Sequence, residues 1–288
     1  MPPADRQPVE RFAPSPTGRL HLGHALSAIL AHDAARAAGG RFLLRIEDLD
    51  AGRAREAFVA GIEADLAWLG LRWETPVLRQ SARGAAYAAA LARLDALGLL
   101  YPCVCTRAEI AAAAPQEGAD ETVYPGLCRG RDVSGAGRPA ALRLAMDRAI
   151  DRLGGPDAIR ALTFEECGAG PGGETGRMAL DPEALIAQIG DVALGRKDGA
   201  ASYHLAVVVD DAHQGVTCAT RGEDLFASTP LHRLLQALLG LPTPRYRHHR
   251  LIRDAAGRRL AKRDDARALA TLRAEGATPE DVRRLVGL

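Results

Sequence analysis

Residues 13–24 read Ala13-Pro14-Ser15-Pro16-Thr17-Gly18-Arg19-Leu20-His21-Leu22-Gly23-His24. Pro14 and Pro16 fix the backbone ahead of Gly18, which makes this stretch a rigid turn. Residues 10–12 before it start a short strand. Residues 23–38 after it carry a helical pattern that stops at Gly39-Gly40, a C-cap signal. Residues 41–46 read as a second strand, with Glu47 and Asp48 at its carboxyl end. A strand–helix–strand unit suggests a parallel sheet with its ligand site at the carboxyl edge of the strands. The helix leaving the turn offers unpaired backbone N–H groups and the positive end of its dipole, where polyphosphates dock. His21 and His24 lie on one face of its first turn, so both imidazoles can donate to the same phosphate oxygens. The plain alternative is a proline-rich turn with two surface histidines. The coincidence of turn, glycine and both histidines directly after a strand argues against it.

Further along, residues 58–69 and 81–97 read as amphipathic helices, the second with Ser81 as N-cap. Beyond Tyr101 the texture changes. Residues 103 to about 175 hold Cys103, Cys105 and Cys128, several glycines and prolines, and weak periodicity. This stretch reads as an insertion of loops and short elements, and the glycine-rich residues 166–176 read as a linker. Regular patterning resumes at residues 202–210, whose β-branched run Val207-Val208-Val209 reads as a strand ending at Asp210-Asp211. Residues 215–221 read as another strand and 229–239 as a helix capped by Gly240. Two short helices follow Asp264, the last starting at Thr278-Pro279-Glu280-Asp281. The order implies an α/β Rossmann-type parallel sheet split by an inserted module. Residues 1–102 form the first half, 103–200 the insertion and 201–245 the second half. Residues 246–288 form a loop and a short helical region.

Charge and cysteine usage narrow the function classes. The 37 basic and 36 acidic residues leave a net charge of +1, so any footprint for nucleic acid must be local. Residues 245–263 supply one: Arg245, Arg247, Arg250, Arg253, Arg258, Arg259, Lys262 and Arg263 against Asp254. Such a patch can hold a phosphate backbone, or it can be a solvated face. Five cysteines, three of them crowded together, fit a metal site in a reducing cytosol better than a disulfide framework. Asp5, Arg6 and Glu10 leave the N-terminus without a signal-peptide core, and no run reaches the roughly 18 apolar residues of a membrane helix. A soluble, cytoplasmic protein is expected.

His21-Leu22-Gly23-His24 resembles the HIGH signature of class I aminoacyl-tRNA synthetases. Arg11-Phe12-Ala13-Pro14-Ser15-Pro16-Thr17-Gly18 resembles the opening of the glutamyl and glutaminyl branch. Leu44-Arg45-Ile46-Glu47-Asp48-Leu49-Asp50 resembles its second block, and Ser202-Tyr203-His204-Leu205-Ala206 with Val209-Asp210-Asp211 its third. The match runs in order from Arg11 to about Arg263. The segment Arg253 to Arg263 resembles the KMSKS loop, with departures: Arg259 stands at the first lysine position, Ala261 replaces the serine, and Lys262 matches the second lysine.

The resemblance implies an ATP-dependent, tRNA-independent activation of glutamate. His21, His24, Arg259 and Lys262 would be catalytic. Arg11, Ala13, Ser15, Glu47, Tyr203 and Arg221 would form the glutamate pocket, with Arg221 on the side-chain carboxylate and Glu47 and Tyr203 at the ammonium. Bidentate arginine is the natural clamp for a carboxylate. Pro14, Thr17, Gly18, His21, Gly23, His24, Glu223, Leu251, Ile252 and Lys262 would meet ATP, whose phosphates carry Mg²⁺. Cys103, Cys105 and Cys128 make an incomplete tetrahedral set, which the resemblance completes with Tyr124 as a structural zinc site. Reduced thiols in a small core are the alternative.

The chain ends soon after the KMSKS-like loop, without room for the helical anticodon-binding domain of ordinary glutamyl-tRNA synthetases. Together with the cysteine–tyrosine set, this resembles the glutamyl-queuosine tRNA(Asp) branch, in which glutamate goes onto the queuosine base in the anticodon of tRNA(Asp). Alternatives stay open: a truncated synthetase charging a tRNA 3′ end, a nucleotidyltransferase sharing the fold, or a silent tRNA- or zinc-binding module. A monomer is expected.

Overall fold

Val9–Phe12 (β1) is buried at all four positions, as a strand covered on both faces must be. The computed structural model describes residues 7–113, 123–253 and 268–288. Arg258, Arg259, Lys262 and Arg263 of the KMSKS-like loop therefore lie outside the described residues. The other strands, in chain order, are β2 (Arg41–Ile46), β3 (Glu74–Arg79), β4 (Leu100–Cys103), β5 (Ala141–Leu144), β6 (Thr163–Glu166), β7 (Gly176–Ala179), β8 (Ala193–Gly195), β9 (Cys218–Gly222) and β10 (Arg245–His249). Seven of them form one sheet in the order β3-β2-β1-β9-β10-β6-β7. Every neighbouring pair is parallel except β6–β7, the antiparallel pair at one edge. β4, β5 and β8 form a separate antiparallel sheet. Because β1 lies between β2 and β9, the chain winds outward on both sides of it. A ligand crevice is expected at the carboxyl ends of β1 and β9, where that order reverses.

Helix Leu22–Ala37 crosses from β1 to β2. Ala25, Ala28, Ala31 and Ala35 line its buried side, and such small side chains let it lie close against the sheet. Leu26 and Ile29 fill the remaining space with Phe12, Leu44, Ile46, Ile62 and Leu66 in one aliphatic core. Truncating Leu44, which is 1% exposed, to alanine would cost about 2–5 kcal/mol. The C-terminal helices Leu269–Ala274 and Pro279–Leu285 return to the same core through Leu269, Val282 and Val286. The Leu269 amide donates to the Leu20 carbonyl (2.9 Å), and Arg283 pairs with Asp33 (2.8 Å). Thr278 and Asp281 form the capping box that the sequence announces.

Three local expectations are corrected. Residues 202–210 do not form a strand. Tyr203–His213 is a helix, with Ser202 as N-cap accepting from the Leu205 amide. Its residues Leu205, Ala206, Val207, Val208, Asp210 and Asp211 are all buried, so burial on several sides hides the helical period. Ser81 is not a helix N-cap: it lies in a 3₁₀ turn and donates to Asp48, and helix Gly84–Ala96 follows with Arg83 as N-cap. Residues 166–176 are not a linker. Glu166 ends β6, Gly176 begins β7, and the glycines between them make the turn of a hairpin. The stretch 103–200 contributes to both sheets, since this hairpin extends the main sheet while β5 and β8 build the small one.

Candidate active site

A cavity of about 560 Å³ opens at the carboxyl ends of β1 and β9. Its wall brings together Arg11, Ala13, Pro14 and Ser15 from the end of β1, and His21, Gly23 and His24 from the first helical turn. Glu47 from the end of β2, Tyr203, Arg221 and the pair Leu251 and Ile252 complete the expected set. Thr17, Gly18 and Glu223 are not on this wall. Glu223 instead accepts a hydrogen bond from the Leu251 amide (3.2 Å), which braces that edge of the cavity. Arg259 and Lys262 lie outside the described residues.

The two histidines cap the helix they begin. His21 is the N-cap, and its Nδ1 accepts from the Gly23 amide (3.1 Å). His24 Nδ1 accepts from the His21 amide (3.2 Å), and the ring centroids are 3.8 Å apart. A ring that accepts at Nδ1 carries its proton on Nε2 when neutral. A Cβ on Gly23 would sit 3.0 Å from His21 Cε1, so glycine is what allows the ring to fold back over the turn.

Two arginines face this cavity in opposite electrostatic settings. Arg11 is buried and fully engaged: Nε and Nη2 donate to the two Asp211 oxygens (both 3.2 Å), and Nη1 to the Thr220 carbonyl (3.0 Å). Arg45 donates to Asp211 at 2.8 Å and lies 3.6 Å from Glu47. Burial would raise the Asp211 carboxyl, but Arg11 and Arg45 outweigh it and hold it below its ordinary value. Glu47 is raised by burial, against Arg45 and Arg11. Burial also raises the Tyr203 phenol.

Arg221, on β9, is 5% exposed, and its nitrogens meet neutral groups. Nε donates to His248 Nε2 (3.0 Å), Nη1 meets His232 Nδ1 (3.0 Å), and Nη2 donates to Thr229 Oγ1 (2.7 Å). Tyr246 lies under the guanidinium, 4.9 Å from its carbon to the ring centroid. Burial and the charge of Arg221 push His248 and His204 down to about 4, and His232 well below its ordinary value. Among the described residues, no carboxylate lies within ion-pair distance of Arg221. A buried cation without an anionic partner is a receptor for an anion.

Sequence reasoning missed part of this machinery. Arg45 and Asp211 stand inside quoted motifs and carried a signal, because a charged residue in an apolar run must find a buried partner. Thr229, His232, His248 and Glu166 come from separate elements and carry no local pattern.

A second constellation lies beside the small sheet. The sulfurs of Cys103, Cys105 and Cys128 all lie within 4.8 Å of one another. The Tyr124 oxygen is 3.3 Å from the Cys103 sulfur and 3.6 Å from that of Cys105, and it accepts from the Cys128 amide (2.8 Å). All four expected ligands therefore converge.

The pattern of residues 9–288 matches the family of class I tRNA synthetases (E and Q), catalytic domain. The chain is 57% identical to the glutamyl-Q tRNA(Asp) synthetase of Rhodobacter capsulatus over 97% of its own length and 100% of that protein. It is 44% identical to the glutamyl-Q tRNA(Asp) synthetase of Nocardia farcinica, over 96% and 82% of the two chains. Among solved structures it superposes on the glutamate-tRNA synthetase of Elizabethkingia anophelis with a TM-score of 0.76 at 24% identity, over 98% of this chain and 62% of that one. The glutamate tRNA ligase of Elizabethkingia meningosepticum, solved with its amino acid, gives 0.74 at 25% identity over 98% and 61%. The chain thus spans about three-fifths of these two solved enzymes. It belongs to the class I tRNA synthetases of the E and Q type and, within them, to the glutamyl-Q tRNA(Asp) synthetases.

Proposed function

We propose that this chain activates glutamate with ATP and transfers it to the queuosine base in the anticodon of tRNA(Asp). The observation that carries the reading is Arg221, a buried guanidinium with neutral protein partners on the same cavity wall as His21 and His24. In this reading the side-chain carboxylate of glutamate pairs with Arg221, and Glu47 and Tyr203 receive the ammonium. Arg11, saturated by Asp211 and Thr220, shapes the pocket and is not the main clamp. The polyphosphate lies on the first turn of helix Leu22–Ala37, where the positive end of the helix dipole and the Nε2–H groups of His21 and His24 would meet it. Leu251 and Ile252 flank the adenine. Arg259 and Lys262 are proposed to add positive charge around the leaving pyrophosphate.

An α-carboxylate oxygen attacks the α-phosphorus, the bond to the β-phosphate oxygen breaks, and pyrophosphate leaves. An RNA hydroxyl then attacks the acyl carbon of the adenylate, and AMP leaves. Mg²⁺ bound with ATP would supply charge neutralisation on the phosphates.

Cys103, Cys105, Cys128 and Tyr124 suit a structural zinc ion. Zinc–thiolate bonds of about 2.3 Å in a tetrahedron put sulfurs about 3.8 Å apart, a spacing compatible with three sulfurs that all lie within 4.8 Å of one another. The ion would tie the first segment after β4 to the turn at Cys128. We propose residues 1–102 and 201–245 as the two halves of the catalytic unit, 103–200 as the zinc-bearing insertion, and 246–288 as the C-terminal part.

The test is glutamate incorporation, with ATP and Mg²⁺, into queuosine-containing tRNA(Asp) and into tRNA(Glu). Label on tRNA(Asp) only, and only when queuosine is present, is expected. Label on tRNA(Glu) instead would replace this reading with a minimal acceptor-end synthetase.

A further inference from the structure

We infer that Glu166, through His248, together with His232 and His204, forms a proton-ordered frame that keeps the protein partners of Arg221 neutral, and that this frame sets the requirement for glutamate. The inference rests on the reading of Arg221 as the side-chain clamp.

A guanidinium has only donors. His248 Nε2 and His232 Nδ1, each 3.0 Å from an Arg221 nitrogen, must therefore present lone pairs. An imidazolium has none, so neither ring can be protonated on both nitrogens while the contact stands. The second nitrogen of each ring explains how this is enforced. His248 Nδ1 lies 2.5 Å from Glu166 Oε2, and both side chains are fully buried. The single proton of His248 is thus held on Nδ1, and the Nε2 lone pair points at Arg221. Glu166 is itself fixed by two backbone amides on its other oxygen, from Gly168 (2.8 Å) and His248 (3.0 Å). On the opposite side, His232 Nε2 meets His204 Nδ1 at 3.1 Å. With Nδ1 accepting from Arg221, His232 donates from Nε2 and His204 accepts. Thr229 accepts the third contact. Each hydrogen bond around Arg221 therefore has one permitted direction, and none of these partners brings a negative charge to the guanidinium.

Glu166 does not reach the cavity wall. It is a positioning residue, acting on substrate only through His248 and Arg221. Three donors surround its carboxylate, so Glu166→Gln brings an amide NH₂ where only acceptors fit. The amide either opposes two backbone N–H groups or forces the His248 proton onto Nε2, against Arg221. By contrast, His248→Gln preserves the polarity, with its oxygen toward Arg221 and its NH₂ toward Glu166. His248→Leu provides neither.

The experiment is glutamate-dependent ATP–pyrophosphate exchange with the intact chain, reading KM for glutamate and for ATP separately, alongside thermal melts. We expect Glu166→Gln and His248→Leu to raise KM for glutamate roughly tenfold to a hundredfold, the factor that follows from losing a hydrogen bond to a charged group. KM for ATP should be unchanged, and His248→Gln should stay within about threefold of the parent. If Glu166→Gln does not fold, His232→Asn against His232→Leu applies the same contrast on the other side of Arg221. A folded Glu166→Gln with unchanged KM for glutamate would overturn the inference. So would equal rises in both KM values, or a His248→Gln as defective as His248→Leu. A parent protein without glutamate-dependent exchange would overturn the functional reading and this inference together. Exchange in the parent with indifferent variants overturns the inference alone.

Discussion

The ring of His24 accepts a hydrogen bond from the backbone amide of His21, so each histidine spends its Nδ1 on the helix start and carries its proton on Nε2. Capping takes one nitrogen of each ring, and the other carries the proton proposed to meet the phosphate. Asparagine can replace the cap but has no counterpart to the Nε2–H. His21→Asn is expected to keep its melting temperature within about 2 °C while adenylate formation falls about 10²-fold, the usual cost of one transition-state donor. A parallel loss of stability and activity would show that the ring serves only as a cap.

Asp211 joins Arg11 to Arg45 in the interior. Removing its charge leaves two buried cations with one anion fewer, so Asp211→Asn should cost about 3–5 kcal/mol at pH 7 by denaturant unfolding. Because the folded carboxyl lies below its ordinary value, its stabilisation is fully present above that value. It is lost as pH falls through the folded one. The gap between parent and variant should therefore narrow below about pH 4. A gap independent of pH from 3 to 7 would mean that shape, and not charge, is what the variant removes.

The sulfurs of Cys103, Cys105 and Cys128 predict about one zinc per chain by mass spectrometry under native conditions. Cys105→Ala should abolish it. Tyr124→Phe, which keeps three thiolates, should weaken the binding without eliminating it. Full-strength binding after Cys105→Ala would place the metal elsewhere.

Cys167 is exposed, and its sulfur lies 3.8 Å from that of buried Cys218. The hydrogen bond from Cys218 lowers the Cys167 thiol to about 7. Burial opposes this shift, and Arg247 and Arg245 add to it. Cys218, donating and buried, is raised. Iodoacetamide should therefore modify Cys167 first, with a rate that reaches half its maximum near pH 7. A midpoint near the ordinary thiol value, or first labelling at Cys218, would reverse this assignment of the proton.

Much of the fold was legible where a strand or helix carries its own signal. Arg41–Ile46 and the capped helix Pro279–Leu285 are such elements. Tyr203–His213 was not, because its valines suit a strand and its burial removes the polar face that marks a helix. The cavity wall was largely readable, since Ala13 to His24 encode turn, cap and donors within one stretch. The frame around Arg221 was not, because β6, β9, β10 and the helices of His204 and His232 meet only through strand order.

The short C-terminal helices bear directly on the histidine motif. Ala268 bridges to His21, and Ile252 lines the cavity, so the chain leaves the active-site wall and is fastened again beside the same histidine motif. The C-terminal helices are thus fastened to the first turn of helix Leu22–Ala37, the place where the polyphosphate is proposed to sit. A truncation at Val282, buried in the same core as Leu20 and Leu22, would therefore be felt at the histidine motif without touching the pocket.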